Sequence, residues 1–317
     1  MNQPIMKTRT NELSAPEMTT AELSKRALFN RFVEYADVKP KSVETYRKNI
    51  SRFLQWLMDN GINRPTRSDV VAYRDYLREN YKPTTVQGYI VAVRLFFQWL
   101  HQEGLSENLA ENLKGAKISN NFKKDALTAR QFKNVLDEID DTTLTGKRDK
   151  AMLILIVSCG LRTIEVSRAK IEDIQLQGDT LGLYVLGKGR DEKDFQPMNH
   201  TAERAIKEYL KERNPKSLEE PLFTSTSHQN AGATLSTQTV SKTVKKYLRL
   251  AGYDSERLTA HSLRHTTVTM ALLAGQSAQE VSAFARHSNI NTTMIYAHNL
   301  EKTQNKCSDA VERMLLG

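Results

Sequence analysis

Between Ser42 and Gly61 the apolar residues Val43, Tyr46, Ile50, Phe53, Leu54 and Leu57 fall at three- and four-residue steps. That is the helical period, and it predicts an amphipathic helix with one buried face. Gly61 stands where a glycine would end it, because glycine tolerates the left-handed backbone of a helix C-terminus. The same stripe returns after Pro83-Thr84-Thr85 with Val86, Ile90, Val93, Phe97 and Leu100, and Gly104 closes it. The two segments share a phrase, Phe53-Leu54-Gln55-Trp56-Leu57 against Phe96-Phe97-Gln98-Trp99-Leu100. Two copies do not make a solenoid, so they predict two similar core helices of a small bundle. Arg67 to Glu79, capped by Ser68-Asp69, gives a further helix, and Ala21 to Tyr35 another. Residues 21–113 are therefore expected to form a helical domain, behind a flexible segment at residues 1–20.

Asn112 to Lys124 is rich in Gly, Asn, Ser and Lys, the composition of an exposed linker; its limits are placed at residues 114–126. A second domain, residues 127–300, opens with a Leu127-Thr128 cap and a helix around Gln131 to Glu138. Lys147 to Cys159 turns almost wholly apolar after Asp149, which predicts a buried central helix ended by Gly160. Leu181 to Leu186 and Lys193 to Met198 pattern as two strands around the turn Gly187-Lys188-Gly189-Arg190-Asp191. Everything after Thr201 is helical in character, and residues 301–317 form a tail whose apolar positions include Val311, Met314 and Leu315. The fold class is mainly α with a small β-hairpin or sheet, and no parallel βαβ unit.

Composition changes this picture little. The 317 residues carry 46 Lys+Arg against 37 Asp+Glu, a net charge of +9. A basic balance favours a polyanionic partner, nucleic acid ahead of a membrane surface. Two cysteines, Cys159 and Cys307, make neither a disulfide framework nor a zinc cage. No apolar run approaches the roughly 20 residues that span a bilayer, and the first residues lack a signal peptide's apolar stretch. A cytoplasmic protein without membrane partner is expected. Basic side chains scattered over the first domain (Lys41, Arg47, Lys48, Arg52, Arg74 and Arg78 among them) fit an ordinary solvated surface, or phosphate contacts near helix starts.

The chemistry-bearing residues stand out by elimination. The chain has no GxxxxGK[ST], GxGxxG, CxxC or HExxH motif, and no tight carboxylate cluster for a two-metal site. His261 and His265 have a metal-binding spacing, but Arg264 between them repels a cation. Neither a cofactor nor a metal is expected. What remains is Arg162, Lys188, His261, Arg264, His287 and Tyr296. Taken singly, each has a structural explanation: a helix-start arginine, a turn lysine, packed histidines, a half-buried tyrosine. Together they suit attack on a phosphodiester. Arginines bind phosphate oxygens bidentately and keep their charge. A tyrosine hydroxyl needs a base or a positive field to act as nucleophile. A lysine can protonate the leaving oxygen.

At this point the chain resembles the tyrosine recombinases, also called the phage-integrase family, and within them the two-domain Xer-like plan. The matching pieces are Cys159-Gly160-Leu161-Arg162-Thr163-Ile164-Glu165-Val166, Gly187-Lys188-Gly189, His261-Ser262-Leu263-Arg264-His265-Thr266, Arg286-His287-Ser288 and Tyr296, nine residues past His287. The resemblance implies an N-terminal SAM-like core-binding domain and a mixed α/β catalytic domain that clamp DNA in a C shape. It implies Tyr296 as the nucleophile that forms a 3′-phosphotyrosyl link, and Arg162 and Arg264 as clamps on the scissile phosphate. Lys188 would be the general acid, His261 the base or proton relay, and His287 a donor to a non-bridging oxygen. Glu165 would be the acidic residue supporting the site, with His265 and His298 structural. Arg286 departs from the family, which often has glycine there; an effect on local backbone freedom or phosphate contact is expected, not on catalysis.

By the same resemblance the partners are double-stranded DNA with inverted half-sites and three further copies of the chain. A homotetramer on two sites would exchange strands through a Holliday junction, with room for accessory DNA-binding proteins. The tail would dock on a neighbouring protomer or fold back on its own domain. A type IB topoisomerase-like relaxing enzyme and a non-catalytic DNA-binding regulator are the alternatives.

Overall fold

The computed structural model describes residues 18–117, 125–187, 190–303 and 307–316. The chain separates into two units, Met1–Ser119 and Asn120–Gly317. Lys188, residues 1–17 and most of the expected linker lie outside the described residues.

The first unit holds α1 (Thr20–Leu23), α2 (Arg26–Ala36), α3 (Pro40–Asp59), α4 (Arg67–Asn80) and α5 (Pro83–Gln102). Proline opens both α3 and α5, where its missing N–H costs nothing. These two helices carry the repeated phrase and pack on each other: the Phe53 and Phe97 rings meet edge to face, 5.8 Å apart at 77°. Phe32 of α2 meets Phe96 in the same manner, at 5.4 Å and 89°. Trp99 is fully buried among them, whereas its counterpart Trp56 is half-buried.

Three details differ from expectation. The helix expected over Ala21 to Tyr35 is broken at Ser24 and Lys25, where the Ser24 hydroxyl donates to the Thr20 carbonyl at 2.7 Å and competes with the next helical turn. Residues 19 and 20 are no flexible lead-in. Thr19 caps α1 with Glu22 in a capping box, and Thr20 is buried with its amide on the Asn63 carbonyl at 2.7 Å. The cap of α4 is Thr66, not Ser68-Asp69: the Asp69 carboxylate sits at the third helical position and accepts the Thr66 amide at 2.7 Å. Leu113, the last residue assigned to the helical domain, is buried in the first unit's core.

The second unit runs α6 (Ala129–Asp137), α7 (Leu144–Ser158), α8 (Thr163–Arg168), a 3-10 turn (Ile171–Asp173), β1 (Ile174–Gln177), β2 (Thr180–Leu186), β3 (Lys193–Pro197), α9 (His200–Arg213), α10 (Thr237–Leu250), α11 (Ala260–Leu273), α12 (Ala278–Phe284), α13 (Asn291–Thr303) and α14 (Cys307–Leu316). The apolar helix is α7, and it anchors the main core. Within it the buried Arg148 pairs with Asp149 at 2.6 Å, and Asp149 also accepts the Tyr247 hydroxyl at 2.9 Å, so neither charge is left uncompensated. The strands form an antiparallel sheet in the order β1-β2-β3, with Leu183 opposite Gln196. Gly182 is required there: a Cβ on it would lie 2.3 Å from the Phe195 ring. Residues 214–236 are not helical, contrary to expectation. Pro215, Pro221 and a Ser/Thr/Gly/Asn-rich run replace helix with turns and two isolated bridges, Lys170 to Pro221 and Thr224 to Thr234.

Among the described residues there are three apolar cores: a large one around α7, the aromatic core of the first unit, and a small one of Val268, Val281, Ala285 and Tyr296. On α14, Val311, Met314 and Leu315 are exposed. Among the described residues no helix is long and apolar enough to cross a membrane.

Candidate active site

The site is assembled from the turn between α7 and α8, helix α11, the turn between α12 and α13, and α13 itself. Helix α7 ends at Gly160, whose φ of +57° is a left-handed turn that glycine makes without strain. Two residues later Arg162 caps α8, and Glu165, at the third helical position, accepts the Arg162 amide at 2.8 Å. The helix start thereby fixes the carboxylate. Its other oxygen takes the Arg162 guanidinium at 2.9 Å, and Arg286 binds the first oxygen at 2.7 Å. Burial alone would raise the Glu165 pKa; the Arg286 charge and the Arg162 hydrogen bonds outweigh it and hold the carboxyl below its usual range.

Helix α11 brings the second arginine. Arg264 is 2% exposed and donates to the carbonyls of Gly160 and Ala285, the ends of α7 and α12. Burial and the neighbouring Arg162 push it down to about 9, while Glu165 pulls the other way, so it is still a cation at neutral pH. One turn away on the exposed face lies His261, edge-on to His265 with centroids 4.6 Å apart. His265 is buried, and its Nδ1 forms a hydrogen bond with the Tyr296 hydroxyl.

Tyr296 belongs to α13 and is 6% exposed. Burial raises its pKa and Arg264 opposes that rise. Between α12 and α13, His287 bonds through Nδ1 to the hydroxyl of the buried Thr293 at 2.7 Å. If Thr293 donates, the imidazole Nε2 carries the proton and becomes a donor. Burial, then Arg264, Arg162, His261 and Arg286, lower His287 to about 4. Arg162, Glu165, Arg264, His261, His287 and Tyr296 are therefore brought together; Lys188, between β2 and β3 in the sequence, lies outside the described residues.

Sequence reasoning assigned no role to Thr293, which stands between His287 and Tyr296, and only a structural one to His265, which stands in a quoted box. Arg286 was set apart from catalysis, yet it contacts Glu165 directly. Gln196, which accepts from Arg286, offered no signal within its strand. Among the described residues no three His, Cys, Asp or Glu side chains are grouped to hold a metal ion.

Residues 125–303 match the model of the phage integrase family, and residues 29–104 that of the phage integrase N-terminal SAM-like domain. The chain belongs to the phage integrase family. Tyrosine recombinase XerD of Vibrio cholerae serotype O1 is 31% identical over 265 residues, 81% of this chain and 85% of that protein. Tyrosine recombinase XerA of Pyrococcus horikoshii is 29% identical over 296 residues, 93% of this chain and 96% of that one. Among solved structures, XerH recombinase bound to its difH substrate before cleavage superposes with a TM-score of 0.70 at 19% identity, over 94% of this chain and 98% of that chain. A lambda integrase dimer on a COC′ core site gives 0.68 at 16% identity, over 89% and 78% respectively. The chain is a Xer-like tyrosine recombinase with a SAM-like N-terminal domain and an integrase catalytic domain.

The recombinase carries a pH signature at His287. Its folded pKa lies near about 4, below the ordinary value of about 6.5. The unfolded chain therefore takes up the proton first, and the stability contributed by neutral His287 is present above about pH 6.5 and lost as pH falls toward 4. Wild type is expected to lose melting temperature faster than His287→Asn between pH 7 and 4.5. Parallel melting curves over that window would contradict the neutral, Thr293-bonded histidine.

Proposed function

We propose that this recombinase cleaves and rejoins duplex DNA through a 3′-phosphotyrosyl intermediate made at Tyr296. The observation that carries the reading is a buried Tyr296 hydroxyl bonded to His265 and facing the Arg264 charge, with Arg264 and Arg162 in turn bearing on His287. The Tyr296 oxygen attacks the phosphorus, the bond to the 5′ oxygen breaks, and the 5′ hydroxyl leaves with a proton supplied by Lys188. The Tyr296 proton passes to His265, with His261 behind it as relay. Arg162, Arg264 and the His287 Nε2 take the negative charge that grows on the non-bridging oxygens, the electrostatic role that usually dominates such a site. Because the phosphotyrosine conserves the phosphodiester's energy, no cofactor is needed and a 5′ hydroxyl of another strand can reseal it.

At the level of assembly, four copies would hold two DNA sites with inverted half-sites and exchange strands in pairs through a Holliday junction. The domain at residues 21–113 and the catalytic domain at 127–300 would grip the duplex, in the cytoplasm, with accessory proteins where the site demands them. The exposed Val311, Met314 and Leu315 of α14 support a tail that docks on a neighbouring copy. A relaxing enzyme of type IB would share the chemistry without exchange.

The test uses a duplex selected from random-sequence DNA by binding to the full chain, then nicked beside the cleavage position so that the short fragment bearing the freed 5′ hydroxyl is lost. The chain should accumulate on the 3′ phosphate as a denaturation-resistant adduct. With two intact sites it should yield four-way junctions. Absence of any adduct would refute the phosphotyrosyl reading, and plasmid relaxation without junctions would favour the relaxing enzyme.

A further inference from the structure

Arg286 occupies the position where the resemblance leads one to expect glycine, and the backbone shows why glycine suits it: its φ is +53°, in the left-handed region that side chains avoid. A strained arginine persists only where its surroundings hold it. Here they do. Its side chain is 7% exposed and its Nη2 donates to Glu165 at 2.7 Å. Its Nη1 donates to Gln196 on β3, and its own carbonyl accepts from Arg162 Nη2 at 3.1 Å. Arg286 therefore touches Arg162 twice, once through its backbone and once through the shared carboxylate.

The charge count explains the consequence. Glu165 alone would neutralise Arg162 and hold it against the helix start. With Arg286 on the same carboxylate, the trio Arg162, Glu165 and Arg286 keeps one net positive charge. The cluster also holds more donors than acceptors: Arg286 Nε and Gln196 Nε2 are buried without a hydrogen-bond partner among the described residues. A surplus of fixed cation and donors suits an anion arriving at Arg162.

We infer that Arg286 is a positioning residue for the scissile phosphate, sharing the Glu165 charge so that the Arg162 guanidinium is held in place yet left positive for the phosphate. The inference rests on the phosphotyrosyl reading. It accounts for an arginine at a strained position, which packing alone would not.

The test compares wild type, Arg286→Gly, Arg286→Lys, Glu165→Gln and the Arg286→Gly/Glu165→Gln pair on the nicked duplex, reading single-turnover adduct formation and DNA affinity separately. Arg286→Gly removes the strain, so it should fold and bind DNA as wild type does, but form adduct at least about tenfold more slowly. Arg286→Lys should recover part of that rate by restoring charge. The double variant should be no slower than Arg286→Gly alone, because without the Glu165 carboxylate nothing neutralises Arg162 and Arg286 has no charge left to share. Should Arg286→Gly not fold, Arg286→Gln takes its place, with the lysine variant expected to react faster. Equal rates for wild type and Arg286→Gly, or strictly additive effects with Glu165→Gln, overturn the inference while leaving the phosphotyrosyl reading standing. A wild type that forms no adduct overturns both.

Discussion

Tyr296→Phe is expected to bind the selected duplex as tightly as wild type and to leave no covalent adduct on it. The expectation follows from one atom. The hydroxyl is the sole difference between the side chains, and it is the group that His265 holds and that Arg264 addresses electrostatically. The ring itself packs with Val268, Val281 and Ala285, contacts that phenylalanine keeps. Folding should therefore survive at a cost of about 1 kcal/mol for the hydrogen bond left unmade on buried His265. Adduct formation should drop by more than ~1000-fold, since a removed nucleophile has no substitute at hydrogen-bond distance. Measured by denaturing gel and by equilibrium binding on one DNA, the two quantities must part. A phenylalanine variant that still forms the adduct would move the nucleophile to another residue, and one that loses binding in step would make Tyr296 a DNA contact.

Arg264→Gln is expected to combine two losses. Arg264 crosses from α11 to the carbonyls of Gly160 and Ala285, so it ties the ends of α7 and α12 at the point where the site is formed. The shorter amide cannot reach both, and a buried carbonyl without a donor costs about 1–3 kcal/mol. The variant should melt several degrees lower. It also removes a cation from beside Tyr296 and the phosphate; losing one preorganised donor typically costs about 100–1000-fold in rate. Adduct formation per folded molecule should fall in that range, below the loss from Tyr296→Phe. Arg264→Lys restores charge but has neither the planar fork nor the reach to serve two carbonyls, so it should recover little of either. A variant that melts lower but reacts at the wild-type rate would make Arg264 a structural strut only.

Much of this was legible in the chain, and the reasons are physical. The stripe Val43 to Leu57 and the stripe Val86 to Leu100 record one-sided burial, and α3 and α5 bury those faces. Arg162, Glu165, His261, Arg264, His287 and Tyr296 stand within short boxes whose internal spacing is a helix start or a helix turn, so local geometry carries them. β1 was missed because Ile174 alone among its residues is even half-buried, and a strand without a buried face leaves no alternation. The split between α1 and α2 turns on one serine hydroxyl, which a hydrophobic pattern does not register. The partnership of Glu165 with Arg286 joins residues 121 apart, and that with Gln196 residues 90 apart. No local pattern encodes such pairs. They follow from where α7, α12 and β3 end, which only the assembled unit determines.

The uneven sharing of apolar burial sets how readily each part of the site gives way. Arg162 and Arg264 are rooted beside α7, in a core of dozens of interlocked side chains, and displacing them means disturbing the whole unit. Tyr296 rests on three other buried residues and one imidazole. Local opening costs least where fewest apolar contacts are lost. On the phosphotyrosyl reading, Arg162 and Arg264 would be the fixed half of the reaction and the Tyr296 hydroxyl the releasable half. On that reading, moving α13 alone would withhold cleavage while leaving the large core around α7 in place.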